Sequence, residues 1–314
     1  IAGRVVSNYS WLLIFRQAIR KYIAEKGRPD LVHIHVPFKA GILGLWIKRK
    51  FKIPYIVTEH WTIYQPQNIV PYGQLKYFLR SVLHRVIKRS SLLLPVSRDL
   101  GVLMNDMVAK KEFSVIENVA NEKYFYYAGA IKTGSPFTFI HVSTMSYQKN
   151  AEGIIESFTE LREKFPGTRL VIVGPAPVTI KQLISQTGLL DKNIFLRGEI
   201  SYPEVANEMQ QSNALVLFSR FENSPCSIIE ALCCGLPVIA TAVGGIPELL
   251  DQNNGLLVNQ GDKGSLTRNM ETMIANYQQY DQQKIAEQAK KQFSYPVIGK
   301  KIDEIYRAIS TATD

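Results

Sequence analysis

Ala214-Leu-Val-Leu-Phe-Ser-Arg-Phe-Glu222-Asn-Ser-Pro-Cys-Ser-Ile-Ile-Glu230-Ala-Leu-Cys-Cys-Gly235-Leu-Pro-Val-Ile-Ala-Thr241 is the stretch whose reading decides the fold. Ala214 to Phe218 is a short uninterrupted apolar run, which suits a strand covered on both faces. Helix signals then come in order: Ser224 as the cap, Pro225 at the first helical position, and Gly235 as the left-handed residue after the last turn. Leu236 to Thr241 is a second apolar run. The unit is therefore strand, loop, helix, strand.

Two carboxylates stand in this unit with seven residues between them. Glu222 lies at the carboxyl end of the first strand and Glu230 on the helix. Ligands of open α/β sheets bind outside the carboxyl ends of the strands, and free N–H groups at Ser224 to Ser227 suit an anion such as phosphate. The helical neighbours of Glu230, namely Cys226, Ser227, Cys233 and Cys234, are small and leave room for a ligand hydroxyl. An arbitrary Glu pair is more often a solvated loop residue and an exposed helix residue. Here Gly244-Gly245-Ile-Pro-Glu248 supplies a second strand end feeding a helix start, so several features converge on one place.

Working outward, the second half begins with strand Phe137 to Val142, then a helix from Asn150 to Phe165 with its stripe at Ile154, Ile155, Phe158, Leu161 and Phe165. Strands Leu170 to Val173 and Ile194 to Leu196 end in Gly174 and Gly198, and Ser201-Tyr-Pro-Glu204 is a capping box. The first half has a helix-like run from Trp11 to Ala24 and strands at Leu31 to Val36, Ile53 to Thr58, Leu92 to Val96 and Phe113 to Ile116. Helices lie between them at Lys39 to Lys50, from about Gln74 to Arg89, and from about Asp99. The Gln74–Arg89 helix has an apolar stripe at Leu75, Phe78, Leu79, Val82, Leu83 and Val86 beside a basic face. Such alternation predicts parallel sheets with helices on both faces. Ala128 to Pro136 is the linker candidate.

The length of 314 residues predicts two domains, and an apolar fraction of 46% is ample for two cores. No apolar run is long enough to cross a bilayer, and no secretory signal is evident. Three cysteines crowded into one helix argue against a disulfide framework and fit a reducing, cytoplasmic compartment. No Cys/His spacing suggests a metal. Of the net charge of +10, residues 1–128 carry 20 Lys+Arg against 8 Asp+Glu, and the remainder 17 against 19. That asymmetry points to an anionic partner for the first half. No nucleic-acid recognition module accompanies it, so nucleic acid is not expected.

Glu222 to Glu230 resembles the E-x7-E motif of the retaining glycosyltransferases of family 4, and Gly235 to Thr241 and Val243 to Glu248 resemble that family's continuation. The resemblance runs from about Leu31 to the C-terminus. It implies a GT-B α/β fold, with two Rossmann-like domains facing across a cleft: an incomplete first domain at 1–130, a nucleotide-sugar-binding domain at 136–292, and a C-terminal helix, 293–314, packing back on the first. Family members begin with a strand and a glycine-rich loop that shape the acceptor pocket, so the chain is expected to be N-terminally truncated. The implied activity is retaining transfer of a hexose-type sugar from a nucleotide sugar to a glycan or lipid-linked acceptor. A nucleotide-sugar epimerase and a non-catalytic nucleotide-sugar-binding protein are the alternatives.

The same resemblance assigns residues. Glu222, Lys149 and His60 would act on the transferred sugar and diphosphate, with His60 reaching the donor sugar and Lys149 the diphosphate. Glu230 would hold the ribose, Asn223 and Ser224 the sugar hydroxyls, and Gly198-Glu199-Ile200 the base. Pro225, Gly174, Ser143 and Thr144 complete the donor site. At Ser143-Thr144-Met145 the family commonly has Gly-Arg-Leu, so the arginine for the pyrophosphate is missing. No two aspartates lie two apart, so no D-x-D metal motif exists and no metal cofactor is expected. His35 is read as structural. The basic helix beside Trp61, Tyr64 and Tyr72 is expected to meet an anionic membrane surface peripherally, at the inner face.

Overall fold

The structure is a computed structural model that describes residues 2–129 and 136–311, with backbone only for 2–9. It divides into two compact units, one formed by Ile1–Ile116 with Lys300–Asp314 and the other by Glu117–Gly299. Most of the linker candidate lies at 130–135, outside the described residues.

The first unit contains, in order, α1 (Ala2–Lys26), β1 (Val32–His35), α2 (Lys39–Phe51), β2 (Tyr55–Glu59), α3 (Tyr77–Arg89), β3 (Leu93–Pro95) and α4 (Arg98–Met107). Its strands form a parallel sheet in the order β1-β2-β3. Ile34, Tyr55, Val57 and Leu93 pack against Leu83, Val86 and Ile87 of α3. Ser97 caps α4 by accepting from the Leu100 N–H.

Two expectations for this unit are corrected. The segment Phe113 to Ile116 runs beside β3 but forms a single bridge, Leu93 with Phe113, rather than a strand. Pro95 has no N–H to donate, so the ladder between the two segments is incomplete. The helix expected from Gln74 begins at Tyr77, because Tyr72–Gln74 forms its own 3-10 turn and Leu75 is extended. Phe78, placed on the apolar stripe, is 71% exposed. With 13 residues α3 is about 20 Å long, whereas three-residue β3 spans about 10 Å, so the first turn of the helix extends beyond the sheet.

The second unit contains β4 (Thr138–Val142), α5 (Ala151–Lys164), β5 (Arg169–Val173), α6 (Val178–Thr187), β6 (Ile194–Gly198), α7 (Tyr202–Gln210), β7 (Ala214–Leu217), α8 (Cys226–Cys233), β8 (Val238–Thr241), β9 (Gly255–Val258), α9 (Lys263–Asn276) and α10 (Gln282–Phe293). The last helix, α11 (Tyr295–Thr311), starts in this unit and ends in the first. The six strands are parallel in the order β6-β5-β4-β7-β8-β9. Chain order reverses between β4 and β7, which opens a crevice at their carboxyl ends.

The continuous apolar runs have a plain cause. Ile140, Leu215, Leu217, Val238 and Ala240 feed one core, and Phe139, Ala214, Val216 and Ile239 feed the core on the other face. With both faces covered, the strands are predominantly apolar, and polar residues buried in them, such as His141 in β4 and Thr241 in β8, need partners. Burying each large side chain contributes about 1.5–3 kcal/mol.

Candidate active site

The crevice is built from the loops at the carboxyl ends of the strands. After β4, a 3-10 turn at Tyr147–Lys149 leads into α5. After β7, the loop 218–225 enters α8. Its Glu222 is 3% exposed, and its carboxylate is fully engaged. Ser219 Oγ donates to Oε1 at 2.8 Å, Lys149 Nζ reaches the same oxygen at 2.5 Å, and Gln148 Nε2 donates to Oε2 at 3.0 Å. The Lys149 side chain is 19% exposed, so this is a largely buried ion pair. A backbone bond from the Arg220 N–H to the Gln148 carbonyl, 2.7 Å, ties the two loops together. The Arg220 guanidinium also lies 4.3 Å from the centre of the Tyr147 ring. Sequence reasoning gives Gln148 no role; its adjacency to Lys149 is the only signal.

Pro225, expected at the first helical position, is the N-cap residue of α8, and Ser224 does not cap. The Ser224 carbonyl instead accepts from Asn118 Nδ2 at 2.8 Å, and its Oγ is buried without a partner. Pro225 has an extended backbone, ψ 120°, so the helix starts one residue later than the sequence suggests, and the serine hydroxyl is left unused. Gly235 does take the left-handed conformation, φ +80°, and a Cβ there would stand 2.7 Å from the Gln282 carbonyl oxygen. Asn223 is buried beside Glu222.

Glu230, on α8, is buried and accepts from the Tyr202 hydroxyl at 2.7 Å. Burial pushes its carboxyl upward, and the Tyr202 hydrogen bond opposes that. Tyr202 itself is pushed up by burial and by Glu230. The signal for Tyr202 is present in the sequence: it is the first residue of α7, directly after the capping serine. There, both the N–H and Oγ of Ser201 bond the Glu204 carboxylate, at 2.8 and 2.7 Å.

Ser143, Gly174 and Gly198 are joined by backbone bonds at the ends of β4, β5 and β6. The Ser143 N–H donates to the Val173 carbonyl at 3.1 Å and the Gly174 N–H to the Gly198 carbonyl at 2.7 Å. Gly174 has φ +127°, and a Cβ would come within 1.9 Å of the Ser143 carbonyl oxygen. Only glycine fits there. His141, fully buried, orders the loop. Its Nδ1 faces the Val216 carbonyl at 2.9 Å, so that nitrogen carries the proton and Nε2 accepts from Ser143 Oγ at 2.7 Å. Burial holds its pKa down to about 4. Ser143 Oγ in turn accepts from the Met145 N–H, which stabilises the left-handed backbone of Met145, φ +49°. Thr144 lies between them, and Glu199 and Ile200 continue from β6 through a bend.

His60 belongs to the first unit, just beyond β2. Its N–H and that of Trp61 donate to Glu59 Oε1 at 2.8 and 2.9 Å, and the Tyr64 hydroxyl donates to Oε2 at 2.9 Å. Glu59 is fully buried, and burial pushes its carboxyl up to about 7. The His60 ring stacks on His35, which stacks on His33. His33 is anchored at both nitrogens, 2.5 Å from Thr58 Oγ1 and 2.6 Å from the Tyr306 hydroxyl. Among the described residues, no group of three or more His, Cys, Asp or Glu side chains is placed to hold a metal ion.

Two Rossmann-like units, with loops gathered at the strand ends, define an α/β enzyme of the GT-B class. The chain matches the family described as Glycosyl transferases group 1 over residues 129–292, and a Glycosyl transferase 4-like domain over residues 3–118. It belongs to the group 1 glycosyl transferases.

Among curated relatives, it is 28% identical to an uncharacterized glycosyltransferase of Methanocaldococcus jannaschii, covering 84% of this chain and 71% of that protein. It is 28% identical to alpha-monoglucosyldiacylglycerol synthase of Streptococcus pneumoniae, covering 69% of this chain and 53% of that one. N-acetyl-alpha-D-glucosaminyl L-malate synthase of Bacillus anthracis is 24% identical over 76% of this chain and 64% of its own length. Sucrose-phosphate synthase from Thermosynechococcus elongatus has the same fold, with a TM-score of 0.81 at 21% identity over 95% of this chain and 78% of that one. Anabaena HepE, solved in complex with UDP, superposes with a TM-score of 0.79 at 18% identity over 93% and 81%.

Proposed function

We propose that this chain transfers a hexose-type sugar, with retention and without a metal, from a nucleoside-diphosphate sugar to a glycan or lipid-linked acceptor. The observation that carries the reading is the pair of buried carboxylates at the switch-point crevice. Glu222 is held by Lys149, Gln148 and Ser219, and Glu230 by Tyr202. A leaving diphosphate needs its developing charge met by fixed groups. Lys149, now paired with Glu222, and the first-turn amides of α8 lie at the crevice, where they would meet that charge as it develops. The absence of an Asp-x-Asp pair from the sequence supports stabilisation by protein groups.

Both oxygens of Glu222 are committed to neighbours, which suits a positioning group rather than a nucleophile. In the reaction proposed, the C1–O bond to the diphosphate breaks, and the acceptor hydroxyl bonds to C1 on the same face. The departing phosphate oxygen takes the acceptor proton. Glu230, with Tyr202, holds the nucleotide ribose, while Asn223 and Ser224 hold the sugar hydroxyls. The curated relative named for a glucosyl lipid supports a lipid-linked acceptor.

A panel of nucleotide sugars, scored separately for binding, hydrolysis and transfer, tests the reading. Glu230→Ala is expected to weaken donor binding by about 1–3 kcal/mol, the cost of leaving a buried partner unpaired, and a chelator is expected to change nothing. Binding that disappears with chelator and returns with manganese contradicts it.

A further inference from the structure

Three imidazoles stand in a row at the carboxyl ends of β1 and β2. His33 and His35, two apart on β1, share one face of the sheet, and the parallel register sets His35 beside Thr58. His60 follows two residues after Thr58, just past the end of β2. The His33 and His35 rings stack with centroids 4.3 Å apart and planes 27° apart. His35 and His60 stack at 5.9 Å and 13°.

The row is fixed at one end and open at the other. His33 is half-buried, with Thr58 Oγ1 at one ring nitrogen and the Tyr306 hydroxyl at the other, so its plane is set. The Tyr306 ring also meets it edge-on at 5.7 Å. His35 and His60 are exposed. An exposed ring gains little from burial and loses rotamer freedom when it is held, yet these two lie nearly parallel. The backbone beneath them carries a cost as well. Val36 has φ +60°, a left-handed conformation that a β-branched residue rarely adopts, and its N–H is held by the Thr58 carbonyl at 2.9 Å. Strain of this kind persists only where the surroundings enforce it, and it gathers at functional sites.

We propose that His35 is a positioning residue for His60. Its ring fixes the plane of the His60 imidazole, as His33 fixes that of His35, while Glu59 Oε1 fixes the His60 backbone by accepting its N–H. The His60 ring is thereby held in one orientation before any donor arrives, and small displacements of such a group are costly to the rate. The proposal rests on the reading that His60 meets the transferred sugar. It asks of position 35 a flat ring and no proton transfer.

His35→Ala and His35→Phe, compared with the wild type by proton NMR of the imidazole C–H resonances and by transfer kinetics, test it. In His35→Ala the His60 ring resonances are expected to shift as the neighbouring ring current is lost. Its kcat is expected to fall about tenfold or more, with KM for the nucleotide sugar within about twofold. His35→Phe keeps a flat ring beside His60 and is expected to restore most of kcat. Unmoved His60 resonances in His35→Ala, a rise in KM in place of the fall in kcat, or a kcat in His35→Phe as low as in His35→Ala overturns the proposal. The resonances are read without substrate. A wild-type chain that transfers no sugar therefore contradicts the function proposed above, while the hold of His35 on the His60 ring is still decided.

Discussion

Glu222, Glu230 and Glu59 are all buried, and their partners set them apart. Glu222 is paired with a lysine, Glu230 shares a tyrosine hydroxyl, and Glu59 takes two backbone N–H groups and a tyrosine without any cation. For Glu59, burial outweighs these hydrogen bonds, so its carboxyl is pushed from 4.5 up to about 7. The direction of the shift sets the sign. A folded-state pKa above the unfolded one stabilises at low pH, and that contribution is lost as pH rises through about 7. Its size is on the order of 3 kcal/mol, from about 1.4 kcal/mol for each tenfold change in ionisation. Denaturant titrations of the wild type and Glu59→Gln at pH 5 and pH 8 check this. The wild type is expected to lose more stability than the variant between the two pH values, and parallel losses contradict it.

At the scale of elements, α3 presents a buried apolar face and an exposed basic one in the same sequence. Leu83, Val86 and Ile87 pack on the sheet, while its first turn leaves Tyr77 and Phe78 exposed near Ile69 and Val70 in sequence. Arg85, Lys88 and Arg89 are exposed further along the helix. Of the aromatics expected beside the basic face, Tyr64 and Tyr72 are buried and Trp61 is exposed. Tyr77 and Phe78 with the cations of the same helix suit an anionic bilayer surface, where each Lys or Arg contributes about 1 kcal/mol. Replacing Arg85, Lys88 and Arg89 together is expected to reduce cosedimentation with anionic vesicles, and Phe78→Ser to reduce it without changing its salt dependence. Equal binding to neutral and anionic vesicles excludes this role. No helix among the described residues is long and apolar enough to cross a membrane.

At the scale of the molecule, the two units divide the candidate residues between them. Glu222, Glu230, Lys149 and the Ser143–Gly174–Gly198 junction lie in the second, and His60 with its stacked partners in the first. The free nucleoside diphosphate of the donor carries the ribose and diphosphate but not the transferred hexose. His60→Ala is therefore expected to leave nucleoside-diphosphate affinity within about twofold, a few tenths of a kcal/mol, while lowering transfer from the nucleotide sugar. Glu230→Ala is expected to lower both. Calorimetry with the nucleoside diphosphate beside a transfer assay makes the comparison, and a His60→Ala chain that loses nucleoside-diphosphate binding as Glu230→Ala does contradicts it. Mass spectrometry under non-reducing conditions is expected to show Cys226, Cys233 and Cys234 as three free thiols, as the structure has them.

The parallel sheet of the second unit was legible because strands covered on both faces are predominantly apolar, as Ala214 to Phe218 and Leu236 to Ala240 are. Glu222 and Glu230 were legible because a strand end and a helix place them at fixed offsets from Gly235, which ends the helix in the left-handed conformation, φ +80°. Other features depended on residues far apart in sequence. Tyr202 meets Glu230 across 28 positions, and Gln148 meets Glu222 across 74. His141 reaches Val216 across 75, and Asn118 takes the carbonyl of a serine that local pattern had made a cap. Local sequence encodes backbone conformation and which face is buried. The partner of a buried polar group is settled only when the sheet order brings two loops together, and that is why the carboxylates could be read from the sequence and the groups that hold them could not.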